Sequence, residues 1–91
     1  MATIFWKKLA INDLIKIGQY IAKNSPANAQ KLVSEIEGKV TRLAVYPQMG
    51  KPGRKRGTRE LVAHDNYFVV YRVLAKKVEI LRVKHVAQQW P

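Results

Sequence analysis

The side chains that could do chemistry in this sequence are one histidine, one arginine and a run of basic residues. His85 ends the last β-prone segment, and its imidazole can exchange protons near neutral pH. Arg72 lies in the preceding β-prone segment. Four further cations lie in a short stretch that is either a phosphate-binding segment or a solvent-exposed connecting loop: Lys51, Arg54, Lys55 and Arg56. If the chain cleaves a substrate, RNA fits best, because its 2′-hydroxyl supplies the nucleophile and the protein need only position the chain, neutralise phosphate and move a proton.

Other kinds of catalytic site have no counterpart in the sequence. There is no glycine-rich phosphate loop before a helix, no histidine pair at helical spacing and no nucleophile elbow. The six carboxylates are scattered, and the absence of cysteine excludes disulfides and thiolate metal sites. We therefore expect no metal and no cofactor.

The charge predicts the kind of partner. Seventeen Lys and Arg against six Asp and Glu give a net charge of +11, which attracts nucleic acid, the ribosome or an acidic protein. No apolar run reaches the roughly 18 residues that a membrane span needs, and no export signal is evident, so we expect a cytoplasmic protein without membrane contact. A length of 91 residues suits a single domain, residues 1–91.

The first half of the chain predicts one strand and two helices. Thr3 to Lys7 is short and β-prone. The next segment places apolar residues at helical spacing, which predicts an amphipathic helix with one buried side: Ile11, Leu14, Ile15, Gly18, Ile21 and Ala22. Ser25 and Pro26 are typical of the N-cap and first turn of a second helix, which Pro47 ends. The short turn between the helices predicts an antiparallel hairpin.

The second half predicts a mobile basic loop, residues 47 to 57, followed by three strands. The strands are Thr58 to Ala63, Tyr67 to Leu74 and Lys77 to His85. The fold class is therefore α+β, a two-layer β-α-α-β-β-β domain with an antiparallel four-stranded sheet covered on one face by a helical hairpin. In this interpretation the first strand pairs antiparallel with the last, and the second face of the sheet is free.

A turn at Ala75 and Lys76 would fix which side chains share the free face. The period-two rule then pairs Leu74 with Lys77, Arg72 with Glu79, Val70 with Leu81, and Phe68 with Val83, and it places His85 on the same side. The helix-covered face would carry an apolar set: Tyr67, Val69, Tyr71, Val73, Val78 and Ile80. Arg72 and Glu79 then predict a cross-strand ion pair of small energetic value, and His64 is predicted to be a turn residue.

Several motifs together resemble the toxins of the RelE/ParE superfamily. They are DLIKIGQYIA (residues 13–22), the Asn-Ser-Pro turn, PQMGKPGR, GTRELV (57–62), NYFVVYRV (66–73) and VEILRVKHVAQQWP (78–91). Each motif is weak alone, but their order and spacing cover nearly the whole chain. The resemblance implies the toxin of a type II toxin–antitoxin pair, which a cognate antitoxin holds inactive by wrapping around it. An exposed hydrophobic groove would await that antitoxin.

The resemblance implies two alternative targets. RelE-like members cut mRNA in the ribosomal A site without a metal, whereas ParE-like members poison DNA gyrase. In the nuclease alternative, His85 would be the general acid or base, Glu60 occupies a position where some members carry an acidic residue, and Arg59, Arg72 and Arg82 would neutralise phosphate charge.

The departures from the nuclease pattern favour the gyrase alternative. Phe68 occupies a position where nucleases of the YoeB type have an arginine, and a phenyl ring cannot stabilise a phosphorane dianion. The terminal Trp90-Pro91 also lacks the basic or tyrosine-ended tail of some nucleases. We therefore predict a gyrase inhibitor, with a ribosome-dependent, metal-independent mRNA endoribonuclease as the alternative and a degenerate toxin as a third possibility.

Overall fold

The computed structural model describes all residues from Met1 to Pro91. Its elements are β1 (Thr3–Trp6), α1 (Lys8–Ala22), α2 (Pro26–Thr41), a short 3₁₀ helix (Arg42–Ala44), β2 (Lys51–Pro52), β3 (Arg59–His64), β4 (Tyr67–Leu74) and β5 (Lys77–His85). The predicted strands and helices are therefore confirmed, and β2 was not predicted. No helix is both long and apolar enough to cross a membrane.

Local chemistry explains where α2 begins. The side chain of Ser25 accepts a hydrogen bond from the N–H of Asn28 (3.2 Å), and Pro26 stands in the first turn, where its missing N–H costs nothing. α2 ends at Thr41 rather than at Pro47, because the chain tightens into the 3₁₀ helix.

The sheet has five strands in the order β1-β5-β4-β3-β2, and the two helices pack on one of its faces. The α+β class with a helical hairpin over one face is confirmed, but the predicted four strands were one too few. β1 is also parallel to β5 rather than antiparallel, with Thr3 opposite Lys77 and Trp6 opposite Ile80.

The path of the helices explains the parallel pairing. The N–H of Ala2 donates to the carbonyl of Ala44 (2.8 Å), so the helical pair returns the chain to the end of the sheet where β1 starts. β3 then runs in the direction of β1. The two hairpin turns that follow give β5 that same direction.

A β-bulge changes the predicted register in the middle of β5. Leu74 pairs with Lys77 and Arg72 pairs with Glu79, as predicted, but Val70 then pairs with Arg82, and Phe68 with Lys84, because Leu81 is an extra residue. The predicted pairs Val70–Leu81 and Phe68–Val83 are wrong. Beyond the bulge every side chain of β5 changes face, so Val83 and His85 lie on the helix side.

The core lies between the helices and the sheet. It contains the predicted apolar set, of which Val73 is only partly buried, together with residues from both helices and β3. The fully buried members include Ile36, Leu43, Val69, Tyr71, Val78 and Ile80. The second face is not wholly free as predicted, because Phe68 (4% exposed) and Val70 (0%) are buried there as well.

Candidate functional site

The basic segment that was predicted to be a mobile loop forms an ordered hairpin between β2 and β3. Lys51 pairs with Glu60 and Pro52 pairs with Arg59, and the N–H of Gly53 donates to the carbonyl of Thr58 (2.8 Å). Gly57 has a φ of +81°, which favours glycine at the turn. The backbone that carries the cations of this hairpin is therefore fixed by hydrogen bonds.

Glu60 is a buried anchor for that hairpin. It is 3% exposed and accepts a hydrogen bond from the backbone N–H of Arg54 (2.9 Å), and its other carboxylate oxygen lies 3.3 Å from the Arg54 guanidinium. The same guanidinium lies over the ring of Phe68, 5.0 Å from its centroid. Glu60 therefore positions Arg54 on the second face of the sheet and is itself covered.

Arg59 fixes the segment that precedes β2. Its guanidinium donates twice to the carbonyl of Gly50 (3.0 and 2.6 Å) and once to that of Gln48 (3.1 Å). The guanidinium N–H groups of Arg59 that could bind a phosphate are therefore already bonded to backbone carbonyls. The structure thus gives Arg59 a local structural task.

Arg72 forms the predicted cross-strand pair with Glu79. The Arg72 Nε donates to a Glu79 carboxylate oxygen at 2.6 Å, and Lys77 Nζ lies 3.3 Å from the other oxygen. The hydrogen bond from Arg72, assisted by Lys77, holds the pKa of Glu79 below its ordinary value of 4.5.

The Glu79 pair predicts a specific acid sensitivity. A carboxylate whose pKa is lower in the folded chain stabilises the fold fully above the unfolded pKa of 4.5, and that contribution is lost as the pH falls through the folded value. We expect Glu79→Gln to flatten the decline of the unfolding free energy between about pH 6 and about pH 3, measured by urea titration. Parallel curves for the two proteins would contradict this assignment.

Arg82 and Asp13 join β5 to α1. The Arg82 Nε and Nη2 donate to the two carboxylate oxygens of Asp13 (2.7 and 3.0 Å), and the N–H of Val83 donates to Asp13 as well (3.0 Å). The hydrogen bond that Arg82 donates to Asp13 raises the pKa of Arg82 above its ordinary value. The contact could not be predicted from the sequence pattern, because Asp13 and Arg82 are 69 positions apart.

Asp13→Asn should therefore destabilise the chain modestly. Asparagine keeps an oxygen for the Val83 N–H but loses the charged two-point contact, so we expect a loss of about 1 kcal/mol in unfolding free energy. Glu37→Gln removes the same charge from an exposed helix position that forms no ion pair, and should change stability by less than about 0.5 kcal/mol. Equal losses in both variants would show that net charge, rather than the contact, matters.

His85 lies on the helix side of the sheet, away from the face that was predicted for it. The imidazole Nδ1 of His85 accepts a hydrogen bond from the N–H of Ala87 (2.9 Å), and the backbone N–H of His85 donates to Gln88 Oε1 (2.7 Å). The imidazole ring contacts the ring of Tyr67 edge-on, with 5.1 Å between the centroids. Burial, with a smaller effect of Tyr20, raises the pKa of Tyr67.

His85 and Tyr67 line a cavity of about 600 Å³ that also contains His64. The Nε2 of His64 lies 3.7 Å from Glu35, and its Nδ1 accepts from the N–H of Asn66 at 3.4 Å. His64 was predicted to be a turn residue, but it is the last residue of β3 and pairs with Tyr67 across the turn. No three His, Asp or Glu side chains lie close enough together to hold a metal ion.

The candidate residues consequently do not form one site. His85 lies on the helix side, Glu60 and Arg59 are bound to backbone groups beside β2, and Arg72 and Arg82 line a separate cleft on the second face. Lys55 of the hairpin also lines that cleft. The structure thus brings together part of the predicted nucleic-acid-binding set with Arg72 and Arg82.

An exposed hydrophobic groove was expected from the sequence without a location, and the structure has such a groove on the helical layer. Ile11 and Ile15 are 43% and 53% exposed, so the predicted buried stripe of α1 divides between the core and solvent. With Trp6, Gly18 and other residues of both helices they line a largely apolar groove of about 770 Å³. The breadth of the apolar surface of α1 could have predicted this exposed groove. Ile17 also packs on the core, and one face of a helix could not bury Ile17 together with Ile11 and Ile15.

The order of elements and their arrangement in two layers are those of a RelE/ParE superfamily toxin of type II toxin–antitoxin systems. Residues 4–90 match the model of the ParE toxin of the type II toxin–antitoxin system parDE, and the chain therefore belongs to the ParE toxin family.

Relatives and solved structures agree with this family. The protein Y4kP of Sinorhizobium fredii is 46% identical over 89 residues, which cover 97% of this chain and 92% of Y4kP. Toxin RelE2 of Caulobacter vibrioides is 34% identical over 88 residues, covering 97% of this chain and 99% of RelE2. A chain of the chromosomal ParDE system of P. aeruginosa superposes with a TM-score of 0.83 at 31% identity, over 94% of this chain and 97% of that one.

Proposed function

We propose that this toxin arrests bacterial growth by inhibiting DNA gyrase and that a cognate antitoxin neutralises it in the cytoplasm. The observation that carries the proposal is the dispersal of the residues a nuclease would need. His85 lies on the helix side of the sheet and Arg72 on the other side, and the Nδ1 of His85 is already an acceptor for a backbone N–H. The guanidinium of Arg82 reaches Asp13, which lines the His85 cavity, but both of its contacts are taken by that carboxylate. A proton carrier and a phosphate clamp must meet at one phosphodiester for RNA cleavage, and these do not meet.

The surroundings of Phe68 support the same proposal. Its ring is 4% exposed and is covered by Arg54, whose guanidinium is held by Glu60. The position where related nucleases have an arginine is therefore part of a packed layer. Inhibition by occupation of a protein–DNA machine needs no reacting group at this position.

A ribosome-dependent, metal-independent mRNA endoribonuclease is the second candidate. The contact between His85 and Tyr67 favours it, because both side chains can carry protons and they line one cavity. The 34% identity to a protein named toxin RelE2 also supports this second candidate.

The antitoxin is proposed to occupy the groove between α1 and α2. The groove exposes isoleucine side chains that a folded chain ordinarily buries, and the solved P. aeruginosa relative comes from a toxin–antitoxin system. An amphipathic helix could bury its apolar face there, and an acidic one would be attracted by the net charge of +11.

Purified components test the proposed target directly. The toxin, freed from its antitoxin, is added to gyrase, relaxed plasmid and ATP, and supercoiling is followed on gels. We expect inhibition that antitoxin reverses and that His85→Ala leaves unchanged. Undiminished supercoiling at a large excess of folded toxin would reject gyrase as the target.

A further inference from the structure

A cleft on the second face of the sheet is lined mainly by lysine and arginine residues. It has a volume of about 440 Å³ and lies among the start of α1, the β2–β3 hairpin, strands β4 and β5, and the C-terminal tail. Of its eight lining residues five are cationic and none is acidic: Lys7, Lys8, Lys55, Arg72 and Arg82. We call these five residues, together with Trp90, the cationic cleft.

Carboxylates nearby neutralise the two arginines but not the lysines. Arg72 is paired with Glu79, and Arg82 with Asp13. No carboxylate lies within 4.0 Å of the amino groups of Lys7, Lys8 or Lys55. Three like charges thus face one small cavity without a counterion, an arrangement that costs energy in the free chain and favours an anion.

Two further donors reach the same place. No side chain caps the N-terminus of α1 at Lys7, and the first turn of α1 has no acidic residue, so the positive end of the helix is unopposed. The indole of Trp90 lines the cleft, and its Nε1 is buried without a hydrogen-bond partner, a rare and costly state for a donor.

We propose that the cationic cleft binds the phosphodiester backbone of a nucleic acid. Both guanidinium groups here are already held by Glu79 and Asp13, so the three lysines are the cations left to meet an anion. The unpaired lysines are point charges that suit phosphate oxygens arriving from several directions. Trp90 beside them carries the ammonium of Lys84 over its ring, 5.5 Å from the centroid, which adds a further cation at this end of the cleft.

This inference deepens the proposed function, since gyrase works on DNA, but it is tested on the toxin alone. A toxin that binds nucleic acid without inhibiting gyrase, or that inhibits gyrase without using the cationic cleft, would separate the two proposals. Contact with the backbone would hold the toxin on its target without reading a sequence.

The first test measures binding of the full-length toxin to labelled oligonucleotides of one sequence, as single-stranded DNA, duplex DNA and RNA. We expect the double variant Lys7→Gln, Lys8→Gln to bind at least about 10-fold more weakly, and its slope of log affinity against log salt to fall by roughly 1.5, as loss of two phosphate contacts requires. The control Lys31→Gln, Lys39→Gln removes the same charge from exposed positions on α2 and should lose less than about 3-fold.

The second readout is the indole N–H signal in a ¹⁵N-labelled sample. The chain has two tryptophans, Trp6 and Trp90, and Trp90→Phe assigns the signals. We expect nucleic acid to shift the Trp90 signal and to leave that of Trp6 in place. A preference for DNA would match a gyrase complex, and a preference for RNA a ribosomal target, and either supports the cleft.

Two outcomes would overturn the proposal. Equal losses in the cleft variant and the α2 control would mean that binding follows net charge alone. A Trp90 signal that polyglutamate shifts and nucleic acid does not would show that the cleft takes an acidic protein segment instead.

Discussion

Replacing Ile15 with aspartate should weaken binding of the cognate antitoxin about 100-fold, with the toxin still folded. Ile15 is 53% exposed in the free chain and lines the groove between α1 and α2. Burying such a side chain against a partner stabilises a complex by about 1.5–3 kcal/mol, and aspartate would in addition bury an unpaired charge. Titration calorimetry with the antitoxin measures the change.

Leu74→Asp is the matched control for this prediction. Leu74 is 44% exposed and lies at the end of β4, outside the groove. The same change of chemistry there should alter antitoxin affinity by less than about 3-fold. If Leu74→Asp weakened binding as much as Ile15→Asp, or if Ile15→Asp bound normally, the groove would not be the antitoxin site.

Replacing Tyr71 with phenylalanine should have the largest effect on stability of any change that removes one oxygen. The Tyr71 hydroxyl accepts from the N–H of Gly50 (2.8 Å) and donates to the carbonyl of Pro47 (2.8 Å), and Tyr71 is fully buried. Phenylalanine leaves a buried donor and an acceptor without partners, which costs about 1–3 kcal/mol. For a chain of this size we expect the melting temperature to fall by roughly 4–8 °C per kcal/mol.

Tyr46→Phe provides the comparison for the hydroxyl group. Tyr46 is 60% exposed, so its loss of one oxygen should change unfolding free energy by less than about 0.5 kcal/mol. Thermal unfolding followed by circular dichroism compares the two variants. A Tyr71→Phe protein as stable as wild type would mean that water satisfies Gly50 and Pro47.

Local patterns predicted the elements well because they depend on neighbouring residues. Strand-like runs bounded by turn residues identified β4 and β5 with the bounds that the structure has, and Ser25 with Pro26 located the start of α2. The extra residue Leu81 was invisible, since a bulge leaves apolar and polar residues in an order that an unbroken strand also allows. That single bulge moved Val83 and His85 to the other face.

Long-range arrangement was the less predictable part. The direction of β1 depends on where the helical pair returns the chain, which the contact between Ala2 and Ala44 determines. β2 has only two residues, one of them Pro52, so no strand pattern could identify it. The cationic cleft joins Lys8, Lys55 and Trp90 from distant parts of the sequence, and no spacing rule connects them.

The central claim is that the toxin acts without cutting RNA, and brief expression in growing cells tests it most directly. RNA 5′ ends are mapped on translated messages, and chromosome breaks are measured in the same culture. We expect intact messages, double-strand breaks and an SOS response, all unchanged by His85→Ala. Cuts within codons that disappear with His85→Ala would contradict it and establish the ribonuclease.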